Sequence, residues 1–145
     1  MKLTVWLQRL WARLYYIQGG IYRYWGNKYG NRWAHLVAVE SFSQALALDP
    51  SFARVYLDRG ILYWRELDHP RKAIIDLTKA EVLDPRLTEA RFNRGVAHQQ
   101  LREYERAVAD FRAYLAVGDH PYWRQYAERM MVELSEWVCD VEEGE

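Results

Sequence analysis

The chain has 145 residues and a mass of 17.4 kDa, which favours a single domain. Half of the residues are apolar and 28% are charged, as in a globular protein with a hydrophobic core. A formal net charge of zero excludes the strongly basic footprint of a typical nucleic-acid-binding domain. The single cysteine, Cys139, excludes an intramolecular disulfide and a zinc site built from several cysteines.

Charge is distributed unevenly along the chain. Before Glu40 the sequence contains basic but no acidic side chains, and from Glu133 onward it contains acidic side chains but neither Lys nor Arg. The basic residues of the first segment are Lys2, Arg9, Arg13, Arg23, Lys28 and Arg32. The acidic residues of the last segment are Glu133, Glu136, Asp140, Glu142, Glu143 and Glu145. Opposite charge at the two ends predicts that they have different neighbours.

Residues 1–18 are predicted to form a basic amphipathic helix, which Gly19-Gly20 is expected to weaken or end. No apolar run approaches the ~18 residues that a membrane-spanning helix needs. Arg9 and Arg13 interrupt the stretch, which disfavours a secretory signal. The residues of its apolar face are Leu3, Trp6, Leu7, Leu10, Trp11 and Leu14, with Ile17 continuing the stripe.

Something is expected to cover this N-terminal apolar face, because that much apolar surface is unfavourable in water. Three covers are open at this stage. The helix packs on the first repeat or lies in a groove of its own protein, or it binds a partner protein or a second copy, or it lies on a membrane surface. A basic, Trp-containing helix suits an anionic lipid surface as well as a protein.

Three segments of the chain repeat with a period of 34 or 35 residues. Small and large residues recur at these intervals, in the sets Gly26/Gly60/Gly95, Ala38/Ala73/Ala107 and Phe42/Leu77/Phe111. Within a unit, spacings of three and four place the alanine and the large residue on one helix face. Asp-Pro then ends the second helix at 49–50 and 84–85, because proline disfavours helix at the residue before it.

This pattern resembles the tetratricopeptide repeat family, whose signature is W-x₂-L-G-x₂-Y, A-x₃-F and P over 34 residues. The resemblance runs from Gly19 to Pro121, about 70% of the chain. It implies an all-α fold, a right-handed superhelical array of antiparallel helix pairs, with repeats at 19–52, 53–87 and 88–121. The second repeat has one additional residue, expected within 67–70. The third has His98 and Tyr114 where the family pattern has Tyr and Ala.

Residues 122–138 are predicted to form a capping helix, since Trp123, Ala127, Met130 and Leu134 recur at three- and four-residue spacings. Such a helix covers the apolar edge of the last repeat, which a stacked array requires. Residues 139–145 are expected to form a short, mobile acidic tail.

No catalytic constellation is present in the sequence. It has no G-x-S-x-G, no phosphate-binding loop and no G-x-G-x-x-G motif. The four histidines, His35, His69, His98 and His120, have no partner at metal-ligand spacing. The sequence therefore predicts a protein that is not an enzyme and that uses neither a metal nor a cofactor.

The resemblance implies that the first helix of each pair lines a concave groove. An apolar centre with a polar rim would accept an extended peptide or an amphipathic helix. The groove residues expected on this basis are Arg23, Asn27, Leu57, Ile61, Trp64, Arg65, Phe92, Asn93, Val96 and Gln99.

Some family members bind acidic C-terminal peptides through Lys, Arg and Asn side chains spread over three repeats. Arg23 and Asn27 match the first repeat's share of that set, but Asp58, Glu89 and Asn93 do not match the rest. Since two carboxylates would repel an acidic peptide, we expect no micromolar binding of a peptide that ends in Glu-Glu-Val-Asp.

The function expected from these observations is a non-enzymatic scaffold or adaptor that binds another protein in its groove. The alternative is a peripheral subunit or assembly factor of a membrane complex, attached through the N-terminal helix. Another protein is the expected partner, nucleic acid is disfavoured, and self-association and membrane contact stay open. The expected location is the cytoplasm, with attachment to a membrane surface as the alternative.

Overall fold

The structure is a computed structural model that describes the backbone of residues 2–142 and the side-chain surroundings of residues 4–137. These residues form seven α-helices and no strand. The helices are α1 (Lys2–Tyr29), α2 (Arg32–Leu48), α3 (Ala53–Arg65), α4 (Pro70–Leu83), α5 (Glu89–Gln100), α6 (Tyr104–Val117) and α7 (Pro121–Glu142).

Short turns join the helices into three antiparallel pairs. Helix α1 packs on α2, α3 on α4, and α5 on α6, and each pair also contacts the next. Helix α7 packs on α6 and ends the described array. The expected all-α solenoid of helix pairs is confirmed.

Helix ends follow from local chemistry. The side chain of Asn31 caps α2, since its Oδ1 accepts a hydrogen bond from the backbone N–H of Ala34 at 3.3 Å. Pro70 begins α4 at a position where its missing N–H costs no helical hydrogen bond. Helices α2 and α4 end at Leu48 and Leu83, and their C-cap residues, Asp49 and Asp84, each stand directly before a proline.

Close approach of paired helices depends on the repeated glycines. A Cβ atom on Gly60 would lie 2.9 Å from Leu77, and one on Gly95 would lie 2.8 Å from the ring of Phe111. The alanines of the repeat pattern, Ala38, Ala73 and Ala107, are completely buried. The periodic small residues therefore position the paired helices within each repeat.

Helix α1 is one continuous helix of 28 residues, so the expected end at Gly19-Gly20 is wrong. Gly19 lies inside the helix, and a glycine is needed at this position because α2 leaves no space for a side chain there. A Cβ atom at this position would be 2.5 Å from the ring of Phe42. The N-terminal helix and the first helix of the first repeat are thus a single rigid element.

The turn between α3 and α4 spans residues 66–69, the region in which the sequence places the additional residue. Asp68 adopts a left-handed conformation with φ of 56°, and the neighbouring Leu67 is buried. The extra length of the turn thereby directs an apolar side chain inward.

The capping helix α7 is longer than expected. Ala127, Met130 and Leu134 pack in one cluster with Phe111 and Tyr114 of α6. The backbone is helical through Glu142, so the expected change to a mobile tail at residue 139 is wrong for 139–142. Residues 143–145 of that tail lie outside the described residues.

Candidate functional site

A cavity of about 370 Å³ lies on the concave side, where α3, α5 and α7 meet. It joins residues from the second and third repeats with residues from the capping helix. Its lining residues are Ile61, Trp64, Arg65, Phe92, Asn93, Val96, Tyr122, Trp123 and Tyr126. Six of the ten groove residues expected from the sequence therefore meet at one place, which we call the aromatic cavity.

Contacts within its walls hold the aromatic cavity in shape. The indole Nε1–H of Trp64 donates a hydrogen bond to Asn93 Oδ1 at 3.2 Å, and Asn93 Nδ2 donates to the Glu89 carbonyl at 2.7 Å. Phe92 stacks on Trp123 with ring centroids 5.4 Å apart and meets Tyr126 edge-on at 5.5 Å. Because the amide of Asn93 is satisfied and the rings support one another, the walls are preorganised.

The aromatic cavity combines an apolar floor with a polar opening. Phe92 and Val96 are nearly buried, whereas Tyr122 is 66% exposed and the side chain of Arg65 is 57% exposed. Burial raises the pKa of Tyr126, so this side chain is a neutral phenol at physiological pH. The arrangement suits a large apolar side chain with a hydrogen-bond acceptor near its rim.

A second cavity of about 310 Å³ lies beside the first, between α1 and α3. Arg23, Asn27 and Arg65 from the expected groove set line it, together with Arg54 and Asp58. Ile61 lines both cavities. The expected groove thus consists of an aromatic half and a charged half.

Asp58 is the centre of the charged half and is only 2% exposed. Its carboxylate lies 2.9 Å from Arg23 Nη1 and 3.7 Å from Arg54 Nε, and it accepts a hydrogen bond from the Tyr16 hydroxyl at 2.8 Å. Burial, followed by the Asp58 carboxylate, raises the pKa of Tyr16. Burial acts to lower the pKa of Arg54, but Asp58 and Glu89 outweigh it and raise that pKa.

The arginines of the charged half are therefore already paired within the protein. An acidic ligand would have to displace the Asp58 carboxylate from Arg23. This internal pairing gives a structural reason for the expectation that acidic C-terminal tails are not ligands.

Two expected groove residues lie elsewhere. Leu57 is 1% exposed and packs in the core between α3, α4 and α5, so its assignment to the groove is wrong. Gln99 lines neither cavity, because its amide contacts α7: Nε2 donates to Met130 Sδ, and Oε1 accepts from the Tyr126 hydroxyl, both at 3.2 Å.

Three aromatic residues of the cavity, Tyr122, Trp123 and Tyr126, were not among the expected groove residues. Their signal in the sequence is the repeat period itself, since 34 residues beyond Phe92 lies Tyr126. The capping helix occupies the position of a further repeat's first helix, and its first turns therefore face the same groove.

The N-terminal apolar face is exposed along α1. The exposed fractions are 59% for Trp6, 40% for Leu7, 40% for Leu10, 54% for Trp11 and 46% for Leu14. The side chain of Leu3 lies outside the described residues. The repeats therefore do not cover this face, which argues against the first of the three covers left open by the sequence.

Metal-binding clusters and membrane-spanning helices are not found in the described part of the chain. No group of three or more His, Cys, Asp or Glu side chains there is arranged to hold a metal ion. None of the described helices has the length and apolar character needed to cross a bilayer. His98, which replaces the family's Tyr, is buried and its Nδ1 lies 2.6 Å from Glu103 Oε2. This contact with His98 holds the pKa of the Glu103 carboxyl below its usual value.

Comparison with known proteins agrees with this architecture. The family model for the tetratricopeptide repeat matches residues 88–117. The TPR domain of Arabidopsis OM64 superposes with a TM-score of 0.76 at 25% identity, covering 87% of this chain and 98% of that one. The chain therefore contains a tetratricopeptide repeat at residues 88–117 and has the fold of a TPR domain.

Curated proteins and other solved structures match parts of the chain. The rice (Oryza sativa subsp. japonica) "Protein SGT1 homolog" is 33% identical over 105 residues, which is 69% of this chain and 28% of that protein. The mouse (Mus musculus) "Tetratricopeptide repeat protein 28" is 35% identical over 79 residues, which is 54% of this chain and 3% of that protein. The chain thus spans less than a third of the length of these curated relatives. The first TPR domain of Spaghetti (RPAP3), solved with the HSP90 peptide SRMEEVD, has a TM-score of 0.69 at 22% identity, covering 86% and 95% of the two chains.

Proposed function

We propose that this tetratricopeptide repeat protein is a non-enzymatic scaffold that binds a segment of another protein on its concave face. The observation that carries the proposal is the aromatic cavity, which is preorganised, open to solvent and built from the second repeat, the third repeat and the capping helix. Preformed apolar pockets with a few fixed polar groups are typical ligand sites. The RPAP3 neighbour supports the proposal because it shows a peptide bound to the same fold.

The chemistry of the cavity narrows the ligand. Trp64, Phe92 and Trp123 form walls on which an aromatic or branched aliphatic side chain would pack. Arg65 at the rim would donate hydrogen bonds to a backbone carbonyl or a side-chain oxygen of the ligand. Each arginine of the charged half is paired within the protein, since Asp58 lies against Arg23 and Arg54, and Glu66 lies 2.9 Å from Arg65. We therefore infer a ligand segment with a large apolar anchor and without an acidic C-terminus.

Selection of binding peptides on the full chain, followed by affinity measurement, tests this function. Tyr122→Ala with Arg65→Ala removes two exposed groups from the cavity without touching the buried core. The expected result is at least about tenfold weaker binding, because the double variant removes an aromatic contact and a rim donor.

Ile75→Ala is the matched control for this experiment. Ile75 is 69% exposed on α4 and lines neither cavity. It should leave affinity unchanged, and circular dichroism should show both variants folded. Equal binding by the cavity variant and the control would place the ligand elsewhere and contradict the proposal.

A further inference from the structure

The outer side of α1 presents a continuous uncharged stripe, which we call the α1 seam. It consists of Leu7, Leu10, Leu14, Ile17, Ile21 and Trp25, which follow one another at spacings of three or four residues. Their exposed fractions lie between 40% and 57%. The seam passes the position of Gly19-Gly20 without a break, because α1 is a single helix.

Corresponding positions in the other repeats are covered by the repeat that precedes them. Ile21 is 53% exposed, whereas its counterparts Val55 and Ala90 are 0% and 1% exposed. The counterparts of Trp25 are Arg59 and Arg94, which reach back to hydroxyls of the preceding repeat. In the first repeat, Trp25 is 57% exposed and is apolar in place of those arginines. The seam is therefore a repeat-end surface with the chemistry of an apolar interface.

Charge argues against a lipid surface as the partner of the seam. A helix that lies on anionic lipid directs its Lys and Arg side chains to the headgroups beside its apolar face. Here Arg9 and Arg13 line a cavity that also contains Asp49 and Asp84. Arg23 forms its ion pair with Asp58. The arginines next to the seam thus face acidic groups of their own protein.

The surface of the seam is sufficient for a stable dimer. Together with Trp6 and Trp11, its exposed side-chain surface amounts to roughly 600–800 Å². A stable interface buries ~800 Å² on each partner, and the largest apolar patch of a typical monomer is ~300–600 Å². A second α1 seam matches the first in length, spacing and lack of charge, whereas an acidic partner helix would find no cation among the six residues of the seam.

We propose that the α1 seam is the docking surface for a second copy of this chain, with the two α1 helices antiparallel. Lys28 continues the seam at the next position, and a parallel pair would bring the two Lys28 side chains together. An antiparallel pair centred on Leu14 places Leu7 opposite Ile21 of the second copy and leaves Lys28 outside the contact. Apolar knobs spaced in this way fit the holes of an identical helix.

Sedimentation of the full chain from sub-micromolar to high-micromolar concentration tests the proposal. The expected mass rises from 17.4 kDa to twice that value. Leu14→Glu with Ile21→Glu should weaken the dimer at least ~100-fold, because it buries carboxylates that have no cation opposite them. The matched control is Ile75→Glu with Val82→Glu on α4, at 69% and 71% exposure, and it should dimerise like the unmodified chain.

Cross-linking tests the antiparallel arrangement in a Cys139→Ser background. A mixture of Leu7→Cys and Ile21→Cys chains should form a disulfide-linked dimer, whereas each variant alone should form little. Strong cross-linking by each variant alone, with no disulfide between a Leu7→Cys chain and an Ile21→Cys chain in the mixture, would overturn this arrangement.

Three outcomes would overturn the proposal itself. These are a mass of one chain at every concentration, a dimer that survives Leu14→Glu/Ile21→Glu in chains that are folded by circular dichroism, and a monomer that floats with phosphatidylcholine–phosphatidylserine vesicles through the seam. The concave cavity takes no part in these measurements, so their failure leaves the proposed scaffold function standing.

Discussion

The two ends of the helical array are built from the same kind of repeat, but they differ in how far their apolar residues are covered. At the C-terminal end, α7 covers the third repeat so completely that Phe111 and Tyr114 have no exposed surface. At the N-terminal end, Ile21 and Trp25 of α1 are more than half exposed. A periodic apolar residue in this chain is therefore a core residue only where a neighbouring helix lies over it.

The largest effect should come from a buried ion pair that the first repeat lacks. Arg59 contacts both carboxylate oxygens of Asp76, at 2.7 and 2.8 Å, and Asp76 is 4% exposed. Asp76→Ala should lower the free energy of unfolding by about 3–5 kcal/mol, because it leaves a largely buried guanidinium unpaired. Ser41 is the corresponding residue of the first repeat, and Ser41→Ala should cost less than about 1 kcal/mol. Chemical denaturation measures both, and equal losses would show that the repeats do not differ in this way.

A leucine at each end of the array tests the comparison of the two surfaces directly. Leu134→Ala on α7 should cost about 2–5 kcal/mol, since Leu134 is 5% exposed in the C-terminal cluster. Leu14→Ala on α1, where the side chain is 46% exposed, should cost roughly 1 kcal/mol or less in the dilute monomer. Urea denaturation at sub-micromolar concentration gives both values. Similar losses at the two positions would mean that α1 is covered like α7.

Asp58 is the residue that makes the charged half of the groove differ from a site that binds acidic tails. Asp58→Asn removes the carboxylate that pairs with Arg23 and Arg54. It should raise the affinity for a peptide ending in Glu-Glu-Val-Asp by about tenfold, because it removes a repulsive charge and frees a donor. Titration calorimetry of both proteins measures the change. Micromolar binding by the unmodified chain would contradict the account of this half.

The smallest effect concerns the polar junction between the second and third repeats. Glu81 lies 2.6 Å from Arg91 and 2.7 Å from Arg94. Partial burial acts to raise the pKa of Glu81, but the two arginines outweigh it and lower that pKa. A carboxyl group whose pKa is lowered by folding contributes stability above its unfolded pKa, and this contribution disappears as the pH falls through the folded value.

Glu81→Gln should therefore cost about 1 kcal/mol at neutral pH, and the difference should shrink as the pH falls below ~4.5. Thermal unfolding of both proteins across this pH range measures it. Glu128→Gln is the control, since Glu128 is exposed on α7 and lies 3.8 Å from Arg124. A difference for Glu81→Gln that grows toward acidic pH would contradict the sign of the shift.

The sequence was sufficient for the repeat architecture because its signals are steric and local. The period that joins Gly26, Gly60 and Gly95 reflects close helix packing, and Asp-Pro marks helix ends directly. The sequence was misleading at Gly19, where the low helix propensity of glycine suggested a break. Close packing of α1 against the Phe42 ring of α2 outweighs that propensity. This contact cannot be predicted from the residues near position 19 in the sequence.

The groove was predictable in outline but not in all its members. Leu57 and Ile61 are four residues apart on α3, yet Leu57 faces the core and Ile61 lines the groove. Spacing identifies a shared helix face but not the angle at which that face meets its neighbours. The aromatic wall from α7 depends on where the capping helix lies in space, which the local pattern of residues 122–138 does not specify.

Residue-resolved amide hydrogen exchange of the full chain at low and high concentration tests the central claim, that α1 is one continuous helix whose open apolar face docks a second copy of the chain. The account predicts helical protection across Gly19-Gly20 at both concentrations and a marked increase in protection of residues 7–25 at high concentration. Rapid exchange at residues 19–20 under both conditions, or protection of α1 that does not change with concentration, would contradict it.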